Sequence, residues 1–453
     1  MPSAVVVNPC DASRPAGPDT VDDICLGMEL KFLLLGLPRS EMAGLSYEHF
    51  AGDIPTGGRD VYQKQAYSAM ARVIERVSSM EKLSGTSASP IQPRAVSRND
   101  IADAGLKERD YWPSHWIVKK ANSVEHTKED PRPDLRRTNG IAVPVEVNSP
   151  KLAWRDLYAP LLVSKVLSRV KTMPTYVNHT CDVHVHVGRC DGVAFTLATL
   201  KKLATIFWLA EPVLRSVRNP HSPNFNNDYT WGFDQRRYSR LALALDKRSP
   251  PTDNVLIGEE ILMRVRSSPG VHVHREERGD WHKFMDGTGT AAFQNEALRA
   301  IWQTASAREL GLLLSGTQRE HRRLGFNFSA FGGEDERART NPRTVEFRIL
   351  EGTLQEDLVL GWLKICGKLV ELATKGRQAR FCDVVQYLVA KQPAYEELRK
   401  NAEAAVFRQP ERQGRSKWPS RDALFVDFME TIDVDPASYK PFQEKIRREY
   451  GSV

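Results

Sequence analysis

Four short segments of the chain alternate strictly between apolar and other residues, mostly ionisable ones. They are residues 27–32 (GMELKF), 143–148 (VPVEVN), 182–187 (DVHVHV) and 344–349 (TVEFRI). Successive side chains of a strand point to opposite faces of a sheet. Each segment therefore predicts a strand with one apolar face and one face that carries carboxylates, imidazoles or a guanidinium.

The four segments together predict the fold class. Taken singly, each is better explained by a solvated sheet face than by a functional site. Taken together, they repeat the same set of Glu, His and Arg residues. Helical periodicity recurs between and after them, most strongly over residues 354–373. We expect an α+β fold in which an antiparallel sheet packs helices on its apolar face and has a polar active-site cleft on the other.

The residue types on the polar face indicate a chemistry. Several glutamates with a histidine favour a hard divalent cation, Mg²⁺ or Mn²⁺, over zinc. Arg348 beside Glu346 indicates a phosphate group bound together with that cation. Metal, phosphate and carboxylate together are typical of phosphoryl transfer. The sequence has no GxxxxGK[ST] or GxGxxG motif, which argues against a P-loop or a dinucleotide-binding loop. It has no GxSxG or HExxH motif either, which argues against a serine esterase or a zinc protease.

Composition narrows the partners and the compartment. The 453 residues carry 64 Lys and Arg against 57 Asp and Glu, without the dense basic run that a nucleic-acid-binding protein usually has. An anionic small substrate explains this mild excess equally well, and charge alone does not decide between them. We expect small-molecule partners and no nucleic acid. Six scattered cysteines without a CxxC pair fit a reducing, cytoplasmic setting. No secretory signal and no apolar stretch of about 20 residues is found near the N-terminus, so we expect a soluble protein that does not enter a membrane.

The chain divides into three predicted parts. Residues 1–22 are rich in Pro, Ala and Asp and predict a mobile arm, residues 23–376 a catalytic domain, and residues 377–453 a helical C-terminal extension. Two long turn-rich loops, residues 219–236 and 267–290, are expected near the site, where they would select the substrate. Nothing in the sequence indicates the oligomeric state.

The ordered set GMELKF, PVEVNSPKL, CDVHVHVG, LGFNFSAF and RTVEFRILEGTL resembles the amidoligase family over residues 25–375. That family is similar to glutamine synthetase and glutamate–cysteine ligase. The resemblance implies a glutamine-synthetase-like fold and an enzyme dependent on ATP and Mg²⁺ (or Mn²⁺). Such an enzyme joins a carboxylate, activated as an acyl phosphate, to an amine. The acid and amine would be amino-acid-like small molecules or a peptide end.

The resemblance also implies roles for individual residues on the polar face. Glu29, His184 and Glu346 would hold the metal that bridges the nucleotide phosphates. Glu146 would bind a second metal or take the proton of the amine.

Four more residues are assigned to the nucleotide and the reacting groups in the same way. Arg348 would contact the transferring phosphoryl group, and His186 the nucleotide or the acyl substrate. Lys119 and Asn327 would line the nucleotide site.

Three positions depart from the family pattern. Lys31 replaces the second acid of a Glu-x-Glu pair, Asp182 replaces a small glycine, and Ala121 replaces an aspartate. Lys31 would substitute for a second ion, contact the substrate carboxylate, or mark a loss of activity. Two alternatives to a ligase therefore stay open: a related small-molecule phosphotransferase, and a non-catalytic nucleotide-binding relative.

Overall fold

The computed structural model describes residues 19–35, 58–76, 93–125, 142–220, 222, 234–246, 260–264, 295–316, 324–332, 343–374, 377–407 and 419–450. Within them, nine strands form one sheet. The strands are β1 (Ile24–Leu35), β2 (Ala95–Ser97), β3 (Trp116–Lys120), β4 (Ala142–Asn148), β5 (Leu152–Ala153), β6 (Thr175–Tyr176), β7 (Val183–Arg189), β8 (Phe326–Asn327) and β9 (Val345–Phe347). Their order is β2-β3-β4-β1-β7-β9-β8, and the short strands β5 and β6 also pair with β1.

The sheet is antiparallel except at one edge. β1 lies in the centre and pairs with β4 on one side and β7 on the other, and β7 pairs with β9. β2 and β3 are parallel, because residues 98–115 form a crossover between them. The predicted α+β class with a mostly antiparallel sheet is confirmed.

The apolar side chains of the predicted strands form one side of the hydrophobic core. They are all buried on one face of the sheet: Met28, Leu30, Phe32, Val143, Val145, Val147, Val183, Val185, Val187, Val345 and Phe347. Because residues two apart share a face, the alternation in the sequence sends the intervening polar side chains to the opposite face.

Besides three short 3-10 helices and a helical turn at residues 260–264, the described part of the chain has fourteen α-helices. They are α1 (Gly58–Glu75), α2 (Arg98–Asp103), α3 (Ala159–Val170), α4 (Leu197–Leu214), α5 (Gln235–Tyr238), α6 (Arg240–Leu245), α7 (Glu296–Gln303), α8 (Ala307–Leu313), α9 (Ser329–Gly332), α10 (Glu356–Ala373), α11 (Gln378–Ala390), α12 (Gln392–Phe407), α13 (Arg421–Thr431) and α14 (Pro436–Tyr450). None of the described helices is long and apolar enough to cross a bilayer.

Aromatic contacts show how the helices lie on the sheet. Phe207 of α4 stacks on Phe326 of β8 with ring centroids 4.1 Å apart, and it meets Phe347 of β9 edge-on at 5.1 Å. Trp362 of α10 also packs against Phe347, at 6.4 Å, and on its other side against Phe442 of α14 at 6.2 Å. The C-terminal helices therefore belong to the same core as the sheet.

Several predicted features fall partly or wholly outside the described residues. These are residues 1–18 of the arm, most of the loop at 219–236 and the whole loop at 267–290. The division into an arm, a catalytic domain and an extension stays a prediction.

Candidate active site

The polar face of the sheet brings together side chains from β1, β7 and β9. Glu29 lies opposite His184 in the β1–β7 pairing, and His186 lies opposite Glu346 in the β7–β9 pairing. The Nδ1 atom of His184 is 3.0 Å from Oε2 of Glu29 and 3.2 Å from Oε1 of Glu346. The three residues predicted to share a metal ion thus lie in contact, and their role as ligands stays a prediction.

His186 completes a group that could hold a cation. Its Nε2 atom is 3.1 Å from Oε1 of Glu29 and 3.9 Å from Oε1 of Glu346. One ligand atom from each of these three residues lies within 4.8 Å of the others. Thr344 fixes the ring by pairing with Nδ1 at 3.1 Å. We call Glu29, His186 and Glu346 the carboxylate–imidazole group.

The two histidines of the His-x-His pattern differ in their surroundings. The side chain of His186 is 29% exposed, whereas that of His184 is fully buried. The Nδ1 atom of His184 also has the Lys31 ammonium at 3.0 Å, which fills the position that a cation would take. The geometry therefore favours His186 as the imidazole that faces a cation, where the sequence had suggested His184.

Lys31 lies in the middle of the polar face. Its Nζ atom is 3.5 Å from Oε2 of Glu29 on the same strand and 3.9 Å from Oε2 of Glu146 on β4. Only 7% of its side chain is exposed. The lysine therefore separates Glu146 from the carboxylate–imidazole group and places a fixed positive charge between the two glutamates.

Glu146 faces a second ammonium group on its other side. Its Oε1 atom is 3.1 Å from Nζ of Lys119 on β3, and that ammonium is 3.8 Å from Glu108. Asn148, two residues along β4, fits the same cluster when its amide nitrogen donates to Glu146 and its oxygen accepts from Lys119. We call Lys119, Glu146 and Asn148 the β3–β4 half of the polar face.

Glu346 is held by two buried neighbours. Arg348 donates to its Oε1 atom at 2.6 Å, and Asn327 of β8 donates to its Oε2 atom at 2.5 Å. Arg348 is only 2% exposed and its guanidinium also lies 3.4 Å from His184. In this arrangement Arg348 and Asn327 orient Glu346, and their predicted contacts with phosphate and nucleotide stay predictions.

The electrostatic surroundings keep both carboxylates of the group ionised. Burial disfavours the charge on Glu29, but Lys31 and hydrogen bonds from the two histidines outweigh it and hold its pKa well below the usual range. Burial also acts on Glu346, whose pKa is held well below its usual range mainly by Arg348 and then by the histidines. Two anionic oxygens are therefore directed at one partly open position.

Sequence reasoning missed one residue at this site altogether. Arg218 follows α4 and reaches the buried end of the polar face, where its Nη1 atom is 3.2 Å from Oδ1 of Asp182. Asp182 could be found because it belongs to the alternating pattern of β7. Arg218 belongs to no pattern, because its position depends on how α4 packs against the sheet.

The family model described as "putative amidoligase enzyme" matches residues 23–293, which is more than half of the chain. The chain belongs to this family, and membership places it among ligase-type enzymes. The match includes β1, β4 and β7, and it ends before β8 and β9.

No curated protein and no solved structure matches the chain significantly. The glutamine-synthetase-like fold implied by the sequence resemblance therefore stays a prediction.

Proposed function

We propose that the protein is an ATP- and Mg²⁺-dependent ligase that forms an amide bond between a carboxylate and an amine. One observation carries the proposal: in a chain of the amidoligase family, Glu29, His186 and Glu346 converge on one partly open position of the sheet. Amino-acid-like small molecules or a peptide end are the proposed substrates.

The chemistry of the donor set fits a hard divalent cation. Two carboxylate oxygens and one imidazole nitrogen suit Mg²⁺ or Mn²⁺, which bind to proteins through few carboxylates and complete their coordination with water and phosphate oxygens. Glu29, His186 and Glu346 would hold the ion. When bound, it supplies positive charge for the nucleotide phosphates.

Lys31 supports a site with fewer ions than the Glu-x-Glu pattern provides. Its ammonium lies between Glu29 and Glu146, where it offsets the charge of both. We propose that Lys31 takes the place of a second ion. With Lys31 in that role the enzyme would be active, because Glu29 and Glu346 keep their low pKa values and one cation position stays available. This argues against the alternative that Lys31 marks a loss of activity.

The β3–β4 half is the proposed place for the reacting acid and amine. Lys119 offers an ammonium to a substrate carboxylate, and Glu146 offers a carboxylate oxygen to the proton that the amine gives up. In a ligase of this type the acid is activated as an acyl phosphate, and the amine nitrogen then displaces phosphate from the acyl carbon. Binding both substrates beside the nucleotide provides the orientation that this sequence needs.

The proposal is tested by measuring release of ADP and phosphate with Mg-ATP and a panel of acids and amines. Release should require both an acid and an amine. Glu346→Gln keeps the shape of the side chain but removes one anionic oxygen from the carboxylate–imidazole group, so turnover should fall by about 100-fold or more. Glu371→Gln is the matched control, because Glu371 is a buried glutamate of α10 that binds the Trp154 indole.

Three results would overturn the proposal. Equal turnover in Glu346→Gln and in the wild-type protein would remove the assigned role of the site. Phosphate retained on the acid in the presence of every amine would identify a phosphotransferase. Binding of Mg-ATP without turnover across the panel would identify a non-catalytic relative.

A further inference from the structure

A column of buried charged side chains, formed by His184, Asp182 and Arg218, lies at the buried end of the polar face. His184 is fully buried, Asp182 is 3% exposed and Arg218 is 1% exposed. The Nε2 atom of His184 points to Asp182, whose Oδ2 atom is 3.8 Å away, and it has no hydrogen-bond partner among the described residues. Arg218 donates from NH1 to Oδ1 of Asp182 at 3.2 Å and to the carbonyl oxygen of Ile349 at 3.1 Å.

The column continues into the C-terminal helix. Tyr450 of α14 donates its hydroxyl to the carbonyl oxygen of Arg218 at 2.7 Å, and Lys445 donates to the carbonyl oxygen of Val217 at 2.8 Å. Lys445 also pairs with Glu351, whose backbone bridges to that of Asp182. Helix α14 therefore contacts the segments on both sides of the aspartate.

We propose that Asp182 and Arg218 are positioning residues for His184, and that helix α14 anchors Arg218. The inference rests on the proposed function of the polar face. At 3.8 Å the carboxylate of Asp182 makes no direct hydrogen bond to Nε2 of His184, so it would orient the ring through charge attraction to that edge of the imidazole. A buried carboxylate in turn needs a partner of opposite charge, which Arg218 supplies.

The orientation of the His184 ring affects the site because Nδ1, on the ring edge away from Asp182, contacts two residues of the polar face. Its Nδ1 atom lies 3.0 Å from both Lys31 and Glu29. A rotation of the ring would therefore release the two side chains that set the charge next to the cation position. In this way Asp182 and Arg218 act on the carboxylate–imidazole group without touching it.

The first test is Asp182→Asn, which keeps the shape of the side chain and removes its charge. We expect Mn²⁺, followed by electron paramagnetic resonance, to bind about 10-fold more weakly. The ring nitrogen shifts of His184 in ¹⁵N-histidine-labelled protein, assigned with His184→Gln, should also move. In the enzyme assay kcat should fall more than KM for ATP rises.

Asp19→Asn is the matched control. Asp19 is also buried and pairs with Arg189, at 2.7 Å, at the opposite end of β7. Its loss should lower the melting temperature but leave the His184 nitrogen shifts and Mn²⁺ affinity unchanged. Unchanged shifts and affinity in Asp182→Asn would overturn the inference. Failure of the wild-type protein to bind Mn²⁺ would instead refute the proposed function, and the His184 shifts would still decide whether Asp182 positions the ring.

The second test addresses helix α14. Tyr450→Phe removes one hydrogen bond to Arg218 and leaves no unpaired charge, so Mn²⁺ affinity should fall by about twofold to fivefold. Tyr439→Phe, on the same helix, removes a comparable hydrogen bond to Glu430 (3.1 Å) and should have no effect on affinity. Equal affinities of the two variants would show that α14 does not anchor the column.

Discussion

At the scale of single residues, Lys31 determines the charge of the polar face. An acid at this position would place a third carboxylate between those of Glu29 and Glu146. The lysine instead contacts Glu29 and Glu146 with one buried ammonium group. Because a buried carboxylate requires a compensating cation, the lysine and a metal ion are alternative ways to meet that requirement.

Lys31→Glu should therefore make the protein depend on divalent cations. Without metal, repulsion among the three carboxylates should lower the melting temperature by about 4 °C, from the several kcal/mol that loss of a buried ion pair costs. Millimolar Mn²⁺ should restore most of this loss, since a cation replaces the ammonium. Thermal unfolding over a Mn²⁺ series measures both effects.

The control for Lys31→Glu is Lys120→Glu, the same change of charge at an exposed position at the end of β3. It changes the net charge equally, so general attraction of cations to a less basic protein would appear in both variants. Equal Mn²⁺ rescue in the two variants would contradict the role given to Lys31.

Residue-level reasoning from the sequence has a definite limit at His184 and His186. The alternation shows that both imidazoles lie on the polar face. It does not show which one faces a cation, because that depends on Lys31 from β1 and Thr344 next to β9. These contacts cross between strands that are far apart in the chain, and a local pattern carries no information about them.

At the scale of elements, the four alternating segments were found because a strand's pattern is local. Residues 27–32 and 143–148 lie inside β1 and β4, and residues 183–187 lie inside β7. The segment 344–349 is a strand only over the three residues of β9. The order of these strands could not be read in the same way. It follows from which edges pair, and the parallel β2–β3 pair follows from a crossover that has no distinctive sequence.

The packing of α14 on α10 depends on one glycine. A Cβ atom at Gly361 would overlap the carbonyl oxygen of Ser438 at the start of α14. Gly361→Ala should cost about 1–3 kcal/mol of unfolding free energy and displace α14. We expect amide hydrogen exchange to rise in residues 436–450.

Gly367→Ala provides the comparison within the same helix. A Cβ atom at Gly367 would overlap the Trp154 indole on another side of α10, so this variant should also lose stability while α14 stays protected. Equal hydrogen exchange of α14 in the two variants would show that Gly361 does not control its docking.

At the scale of the whole molecule, the helices do more than cover the sheet. Phe425 and Phe442 of the C-terminal helices share one core with Trp362 and with the strands of the site.

Buried charged groups lie among these helices as well, and Glu211 of α4 is the clearest of them. Its carboxylate accepts hydrogen bonds from the backbone of Gln235, at 2.7 Å, and of Arg236, at 3.1 Å.

Glu211 should make the stability of the molecule depend on pH. Burial, followed by the nearby charge of Asp234, raises its pKa to about 8 against the opposing charge of Arg215. An unfolded chain releases this proton near pH 4.5, the ordinary value. Between these two pH values the folded state binds more protons than the unfolded state, so stability falls as pH rises. The stabilisation that protonated Glu211 gives the folded state is fully present below about pH 4.5 and is lost as pH rises through about 8.

Glu211→Gln removes the titrating group and should flatten this dependence. We expect the melting temperature of the wild-type protein to fall by about 3 °C more than that of the variant between pH 6 and pH 8.5. Glu371→Gln, at another buried glutamate, controls for the general effect of replacing a buried acid by an amide. Parallel curves for wild type and Glu211→Gln would mean that Glu211 is ionised in the folded protein across this range. The charge of Arg215 would then outweigh the combined effect of burial and Asp234.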